Sequence, residues 1–154
     1  MNAQSQQQSD QPEPQSVLPR PKIVLLEDRP ELREGYTQSL EKAGFDVRPG
    51  VDGNELEKLL TPDVAVILSD TDMPVMDSPN AVEQMLDRGI LSDSVLVLAM
   101  SDEESNAEKW RGIAHHAGFF NKNRFLSGDI GYRVMSHFRN FSNSNSLLWR
   151  MRML

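Results

Sequence analysis

The sequence predicts an α/β fold in which a doubly wound, five-stranded parallel sheet lies between two layers of helices as a three-layer sandwich. Short aliphatic runs alternate with segments of helical periodicity, the runs end in polar residues, and no internal repeat is present. Such alternation is typical of parallel strands joined by right-handed crossovers, which place helices on both faces. Because 154 residues suit one ordinary domain, we expect a single sheet.

The predicted strands are aliphatic runs that are too short for helices. They lie at residues 23–26, 45–48, 64–68, 94–100 and 119–122. The run VAVIL at 64–68 is apolar at every position, as a parallel strand covered on both faces must be. We therefore expect this third strand in the centre of the sheet.

The predicted helices follow the strands and have their own start and stop signals. They lie at residues 30–43, 52–60, 78–89, 101–117 and 130–141. Pro30 suits the first turn of its helix, where a missing N–H costs little, and Gly44 provides a C-terminal stop. Ser78 is the expected N-cap of the third helix, and Gly118 is the expected end of the fourth.

Composition and charge exclude several classes of function. The chain has 16 Lys and Arg against 23 Asp and Glu, a net charge of −7, so its overall field does not attract nucleic acid or an anionic membrane. The absence of cysteine removes disulfide scaffolds, thiol catalysis and thiolate metal sites. No apolar run reaches the roughly 20 residues of a membrane span, and residues 1–20 lack the apolar stretch of a secretory signal. We therefore expect a cytoplasmic protein.

The two ends of the chain differ from its middle, where we place the domain over residues 21–141. Residues 1–20 are rich in Gln, Ser and Pro and have little to bury, so we expect a disordered tail. Residues 142–154 form a polar spacer followed by the apolar and basic segment LLWRMRML. This segment suits a docking peptide, a weak membrane-surface segment, the start of a linker to an output domain, or a frayed terminus.

Polar residues follow four of the predicted strands. They are Glu27 and Asp28 after the first strand, Asp70 after the third, Ser101 after the fourth and Lys122 after the fifth. Open α/β sheets bind ligands beyond the carboxyl ends of their strands, so we expect these side chains to share one crevice. Three carboxylates repel each other and require a cation, and an all-oxygen set suits Mg²⁺. With a lysine and a hydroxyl beside them, they suit phosphoryl transfer to an aspartate.

Each of these residues also has a simpler interpretation when it is taken alone. Asp28 suits a cap for the helix that starts at Pro30, and an isolated Lys122 suits a solvated surface position. Ser101 begins the string SDEE, which is a capping box for the fourth helix. Their joint placement at strand ends, together with the loop DTDMPVMDS at residues 70–78, favours a shared site.

The string Asp-x-x-Met-Pro-x-Met-Asp from Asp70 to Asp77 makes residues 22–141 resemble the receiver domain of bacterial two-component response regulators. The remaining matches follow the other strands and are Glu27, Asp28, Ser101 and Lys122. The resemblance implies a flavodoxin-like fold. It implies that Asp70 is the phosphoacceptor, that Ser101 is the switch hydroxyl and that Lys122 pairs with the phosphoryl group. The Mg²⁺ ligands that it implies are Asp28, Asp70, the backbone carbonyl of Asp72 and, through water, Glu27.

The same resemblance implies a set of partners. A sensor histidine kinase, a phosphotransfer protein or a small phosphodonor would supply the phosphoryl group. Output would pass through contacts with an effector protein, with an output domain that is missing from this chain, or within a homodimer. We expect no nucleic acid or membrane partner for this chain alone, and no enzyme activity beyond autocatalytic acceptance and loss of the phosphoryl group.

Several positions depart from the pattern of this family. Ser78 stands where a glycine is usual, and Asn123 stands where a proline is usual. The segment that precedes Lys122 is shorter than is typical, so the switch aromatic is either Phe119 or Phe120, and neither has a tyrosine hydroxyl. These departures concern the output switch more than the phosphorylation chemistry.

Two alternatives remain open at the level of sequence. The departures allow a degenerate receiver that serves as a phosphorylation-independent interaction or dimerisation module. The triplet Asp70-Thr71-Asp72 also resembles the Asp-x-Asp nucleophile motif of haloacid-dehalogenase-type phosphatases. That second alternative is the weaker one, because Pro74 stands where those enzymes have Thr or Val, the motif follows the third strand, and the chain has no room for a cap domain.

Overall fold

The structure is a computed structural model that describes residues 20–73, 77–92, 94–113 and 116–152. Its strands are β1 (Lys22–Leu26), β2 (Asp46–Gly50), β3 (Val64–Asp70), β4 (Leu96–Ser101) and β5 (His116–Asn121). They form one sheet in the order β2-β1-β3-β4-β5, and every neighbouring pair is parallel. The predicted α/β fold with a five-stranded parallel sheet is therefore confirmed, with β3 in the centre. The N-terminal segment for which we predict disorder lies, apart from residue 20, outside the described residues.

Helices connect the strands on both faces of the sheet. They are α1 (Pro30–Ala43), α2 (Leu56–Leu59), α3 (Ser78–Asp87), α4 (Ala107–Trp110) and α5 (Ile130–Arg152). Short 3₁₀ turns precede three of the helices, at Gly53–Glu55, Glu104–Asn106 and Lys122–Arg124. In the part of the chain that the structure describes, no helix combines the length and the apolar character that a membrane span needs.

The sheet separates two apolar clusters, which define two faces of the molecule. On the first face, α1 and α5 pack against the sheet through buried side chains such as Leu40 and Val134. On the second face, α2, α3 and α4 do the same through side chains such as Leu56, Val82 and Trp110. Alternate strand residues supply the two clusters, as the two-residue period of a strand requires. The core thus fixes all five strand ends relative to one another.

The first face is held by close contact between α1 and α5. The Ser39 hydroxyl of α1 accepts a hydrogen bond from the Gly131 N–H at 2.9 Å and donates to the Gly128 carbonyl at 2.9 Å. One side chain of α1 therefore satisfies a backbone donor at the start of α5, where helices leave such groups unpaired. A Cβ atom at Gly131 would lie 2.1 Å from the Ser39 carbonyl oxygen, so this crossing requires glycine.

The fourth predicted helix, over residues 101–117, is wrong in length. Among the described residues of this range, only Ala107–Trp110 is α-helical, and Gly112 then turns the chain at φ +84°. Strand β5 starts at His116, so Gly118 pairs with Leu98 in the sheet and does not end a helix. The physical reason is the short segment before Lys122, because β5 has to begin early to run alongside β4. The residues between Ile113 and His116 lie outside the described part of the chain.

Two other details of the helices differ from the sequence prediction. The N-cap of α3 is Asp77, whose carboxylate accepts from the Asn80 N–H at 3.0 Å, and Ser78 is instead the first, fully buried residue of the helix. The backbone of α5 stays helical as far as Arg152, well past the end of the amphipathic pattern at residue 141. The assignment of residues 142–154 to a spacer and tail stays a prediction.

Candidate functional site

The carboxyl ends of β1, β3 and β5 bring two buried acids to one lysine. Glu27 is fully buried, Asp70 is 7% exposed, and only 4% of the Lys122 side chain is exposed. The Lys122 ammonium lies 2.5 Å from a carboxylate oxygen of Glu27 and 3.2 Å from one of Asp70. Each of these residues follows or ends a strand whose apolar residues are fixed in the core, so the strands position all three charges.

Asp28 completes a cluster of three carboxylates. Glu27, Asp28 and Asp70 each offer an oxygen, and these three oxygens lie within 4.8 Å of one another. Two of these three acids pair with one lysine, so the cluster has a surplus of negative charge when all of them are ionised. Oxygen ligands at this spacing suit a hard divalent cation such as Mg²⁺. The donor set of this site therefore fits the metal that the sequence implies.

Burial shifts the protonation of the two inner acids. Burial raises the pKa of Asp70 to about 7, with a further increase from the Glu27 charge and a partial decrease from Lys122. Burial likewise raises the pKa of Glu27, although Lys122 opposes the increase. The raised pKa values mean that ionising both Glu27 and Asp70 is unfavourable, because one lysine has to balance their two negative charges. Additional positive charge at this position would favour the ionised form of Asp70.

Two arginines secure the loop after β1. The Arg33 guanidinium donates to the Glu27 carbonyl at 2.9 Å, and the Arg29 N–H donates to the Glu27 carboxylate at 3.2 Å. The guanidinium of Arg29 also pairs with Asp102 at 3.1 Å, which joins the loop after β1 to the loop after β4. Sequence reasoning missed both arginines, because Arg33 acts through a backbone carbonyl and Arg29 pairs with a residue that follows another strand.

The residue after Asp70 is anchored in the core of the second face. The Thr71 N–H donates to a carboxylate oxygen of Asp70 at 3.0 Å, and the Thr71 hydroxyl donates to the Met100 carbonyl at 2.8 Å. The same hydroxyl accepts from the indole N–H of Trp110 at 2.9 Å. Trp110 is fully buried. These contacts fix the backbone that carries Asp70 to β4 and α4.

Ser101 has two hydrogen-bond donors directed at its hydroxyl oxygen. The Glu103 N–H lies 3.1 Å from this oxygen and the side-chain amide nitrogen of Asn106 lies 2.8 Å from it. The capping box that we expected would have used the Glu104 N–H, but the helix starts later, so Ser101 accepts from Glu103 instead. Asn106 is 4% exposed. No sequence signal marks this asparagine, because one of its two partners, Asp72, lies in the loop after β3.

Asp72 turns its side chain away from the three carboxylates. Its two oxygens accept hydrogen bonds from Asn106 at 2.6 Å and from Lys109 at 2.7 Å. Its carboxylate therefore forms no part of the acidic cluster, and its backbone carbonyl stays the expected contribution to a metal. Residues 74–76 of the motif lie outside the described residues.

Ser78 and Asn123, the two positions that depart from the pattern described above, both form specific contacts. The Ser78 hydroxyl is hydrogen-bonded to Ser69 and lies 2.6 Å from the Asp70 carbonyl oxygen. The Asn123 side chain donates to the Asp102 carbonyl at 2.8 Å, which links the loop after β5 to the loop after β4. The loop after β5, which contains Asn123, forms a 3₁₀ turn at Lys122–Arg124.

The two candidate switch aromatics point to opposite faces of the sheet. Phe120 belongs to the first face, where its ring meets Phe125 and His137 at centroid distances of 6.2 and 5.3 Å. Phe119 packs against the cluster of the second face and pairs with Ala99 of β4. Strand alternation places Ser101 on the same face as Ala99, and thus on the same face as Phe119.

A family model for the response regulator receiver domain matches residues 23–124 of the chain. The chain therefore belongs to the response regulator receiver domain family, which confirms the resemblance that the motif indicates. No curated protein sequence matches it significantly. The family places the chain among domains that interact with kinases and effectors, that typically bind Mg²⁺ through acidic residues, and that are generally not enzymes.

Solved structures show the same fold at low sequence identity. The signal receiver domain of an HD domain-containing protein from Pseudomonas fluorescens matches with a TM-score of 0.68 and 14% identity, over 81% of this chain and 99% of its own. A CheY-like receiver domain protein from Methanospirillum hungatei matches at 0.65 and 15%, over 82% and 99%. The chemotaxis response regulator CheY4 of Vibrio cholerae matches at 0.64 and 24%, over 77% and 99%.

Proposed function

We propose that this chain is a phosphoacceptor signalling domain, phosphorylated on Asp70 by a histidine kinase, a phosphotransfer protein or a small phosphodonor. The observation that carries the proposal is the cluster of Glu27, Asp28 and Asp70, in which the carboxylates of Glu27 and Asp70 pair with the Lys122 ammonium. Asp70 is the member of the cluster that ends the central strand and contacts Lys122 without being fully buried. An incoming phosphoryl group therefore meets a carboxylate that stays partly accessible and contacts Lys122.

The three carboxylates and the carbonyl of Asp72 are the residues that would hold Mg²⁺, with Glu27 acting through water. When it is bound, the ion supplies positive charge that offsets the charge of the phosphoryl oxygens. Positive charge at this position would favour the ionised form of Asp70, whose pKa burial raises to about 7.

The chain's own groups account for the transfer step. A carboxylate oxygen of Asp70 forms a bond to phosphorus while the bond between phosphorus and the donor's leaving group breaks, and the leaving group keeps the bonding electrons. Lys122 faces Asp70 and neutralises charge on the phosphoryl oxygens. The Ser101 hydroxyl donates to one of these oxygens. Hydrolysis of the acyl phosphate restores Asp70, so we propose no turnover of any other substrate.

Output follows from the position of Ser101 on the second face. Movement of Ser101 toward the phosphoryl group frees space beside Phe119, which we propose as the switch aromatic because it shares that face. The surface formed by α4, β5 and α5 then changes and is contacted by an effector protein, by an output domain or by a second copy of the chain. A switch of this kind needs only a few kcal/mol of differential contact. We place this signalling in the cytoplasm.

The test is intact-mass spectrometry after incubation with Mg²⁺ and acetyl phosphate. We expect one phosphoryl adduct on the wild type, none on Asp70→Asn, and none on the wild type in the presence of a chelator. Asp77→Asn is the matched control, because Asp77 caps α3 outside the cluster and its replacement should leave the adduct in place. A wild type that neither binds Mg²⁺ nor gains an adduct would point to the phosphorylation-independent interaction module.

A further inference from the structure

The hydrogen bonds at Ser101 determine the direction in which its hydroxyl proton points. A serine hydroxyl has one proton to donate and two lone pairs that accept. Both lone pairs are in use, because the Glu103 N–H and the Asn106 amide donate to the oxygen at 3.1 and 2.8 Å. With two donors directed at it, the hydroxyl turns its proton away from them.

The orientation of the Asn106 amide is itself determined by Asp72. The amide has a donating NH₂ end and an accepting oxygen end, and its nitrogen lies 2.6 Å from a carboxylate oxygen of Asp72. A carboxylate only accepts, so the NH₂ end has to face Asp72. The same nitrogen then faces Ser101. In the flipped orientation the amide oxygen would oppose the carboxylate and would take the Ser101 proton for itself.

We propose that Asn106 is a positioning residue that keeps the Ser101 proton available for the phosphoryl group on Asp70. This inference rests on the proposed function. Asp72 sets the direction of the amide, and Lys109 holds the other oxygen of Asp72 at 2.7 Å. The chain of contacts runs from Lys109 through Asp72 and Asn106 to Ser101, so it joins the loop after β3 to the loop after β4.

The burial of these groups supports a specific role. Asn106 is 4% exposed and Ser101 is 3% exposed, so water does not readily replace either partner. Both amide hydrogens of Asn106 have acceptors, one on Asp72 and one on Ser101. A hydroxyl whose direction is set in advance stabilises developing charge at a lower reorganisation cost. A Ser101 hydroxyl without Asn106 would have several orientations instead of one.

The test is a double-mutant cycle on the affinity for beryllofluoride, a tetrahedral phosphoryl analogue, with Mg²⁺ present. The four proteins are the wild type, Asn106→Ala, Ser101→Ala and the double variant, measured by calorimetry. We expect Asn106→Ala to weaken binding about five-fold, which is the range of one neutral hydrogen bond. In the Ser101→Ala background the same substitution should have no further effect, because the hydroxyl that it positions is gone. A merely structural role would weaken both backgrounds equally.

Two further variants keep the test independent of folding defects. Asp72→Ala removes an exposed side chain and leaves its backbone carbonyl, so we expect a smaller loss of affinity that also vanishes in the Ser101→Ala background. Asn80→Ala is the control, because its amide donates to Asp77 at 3.0 Å without contact to Ser101, and its affinity should equal that of the wild type. Mg²⁺ affinity in the absence of beryllofluoride should be unchanged in the Asn106 variant.

The outcomes separate this inference from the proposed function. A wild type that fails to bind beryllofluoride with Mg²⁺ overturns the proposed function and the role of Asn106 together. A wild type that binds, with no effect of Ser101→Ala or of Asn106→Ala, overturns the role of Asn106 alone. Equal losses from Asn106→Ala in the two backgrounds, or a parallel loss of Mg²⁺ affinity, overturn it as well.

Discussion

The two faces of the sheet are built differently. The first face has two long helices, α1 with 14 residues and α5 with 23, which pack against each other and against the sheet. The second face has three shorter helices, and two of them, α2 and α4, have only 4 residues each. Long helices that pack against each other bury more surface than short helices do. Segments with short helices leave more of their backbone in turns, and turns open locally at a lower free energy.

The polar network of the site lies mainly toward the second face. Ser101, Asn106 and Trp110 belong to β4 and to the segment that follows it, and Asp72 reaches them from the loop after β3. The carboxylate cluster lies at the strand ends between the two faces. The first face thus relies on packing between long helices, whereas the second face combines its apolar cluster with a polar network that the proposed phosphoryl response would use. The predictions below test that division.

The largest expected effect is on the first face, from Gly131→Ala. The new Cβ would lie 2.1 Å from the Ser39 carbonyl oxygen, which belongs to the helical backbone of α1 and has no freedom to rotate away. The two helices have to separate, and the Ser39 bond to the Gly131 N–H weakens with them. We expect the free energy of unfolding to fall by about 3 kcal/mol in urea denaturation.

Gly128→Ala is the matched control for this substitution. A Cβ at Gly128 has no heavy atom within 4 Å, so the same change of residue type should alter stability by less than about 1 kcal/mol. Equal changes in the free energy of unfolding of the two variants would show that the contact between α1 and α5 is not rigid. That result would contradict the difference between the two faces.

The second prediction concerns the cluster between the faces. Asp70→Asn should stabilise the metal-free protein at pH 8 by about 2 kcal/mol, because it removes a buried charge. Burial raises the pKa of Asp70 to about 7, above its ordinary value near 4. Between these two values the unfolded chain has already released the proton that the folded chain retains. Wild-type stability therefore falls as pH rises from about 4 to about 7, and this part of the slope should be missing in the variant.

Thermal unfolding across this pH range, in the presence of a chelator, measures the effect. Asp46→Asn is the control, because Asp46 is an exposed aspartate at the opposite end of the sheet, and it should keep the wild-type slope. A variant at Asp70 that is no more stable than the wild type at pH 8 would show that the cluster carries no electrostatic cost.

The fold could be predicted from sequence because its signals are local. The aliphatic runs of β1 and β3 stop at acids, and Pro30 and Gly44 mark the two ends of α1, where Gly44 has φ +111°. The fourth helix could not be predicted, because its length depends on where β5 has to begin to pair with β4. Capping strings such as SDEE show that a helix can start, but they do not show how far it continues.

The carboxylate cluster could also be predicted, since parallel strands bring their carboxyl ends to one edge of the sheet. What the sequence did not reveal is the set of residues that hold the cluster in place. Arg33 and Ser78 act through backbone carbonyls and Asn106 through Asp72, which is distant in the chain, so no spacing rule identifies them. Ser78 illustrates the difference, because its resemblance to an N-cap hid its contact with the Asp70 carbonyl.

The third prediction is Ser78→Ala, which removes a single buried hydroxyl on the second face. The Ser78 hydroxyl lies 2.6 Å from the Asp70 carbonyl oxygen, and the Ser69 hydroxyl donates to the same oxygen at 2.9 Å. Because Ser69 continues to satisfy this oxygen, we expect a loss of about 1 kcal/mol in urea denaturation. Ser92→Ala, which removes an exposed hydroxyl, should change stability by much less. A loss as large as that of Gly131→Ala would contradict the division between the faces.

The smallest expected effect is that of Asp102→Ala, which breaks the pair between the loops after β1 and β4. The side chains of Arg29 and Asp102 are 48% and 52% exposed, so water and salt screen their 3.1 Å contact. The Asp102 carbonyl keeps its hydrogen bond from Asn123, because the substitution leaves the backbone intact. We expect a change below about 0.5 kcal/mol in urea denaturation, and less at high salt.

Glu57→Ala is the reference for this last variant, since the Arg88–Glu57 pair has similar exposure, 53% and 51%, and lies away from the site. Equal small losses in the two variants would mean that the second face owes its stability to buried contacts such as those of Ser78 and Trp110. A loss above about 1 kcal/mol that persists at high salt would assign Arg29 a structural role at the mouth of the site. The ends of β1 and β4 would then be fixed by a surface ion pair as well as by the core.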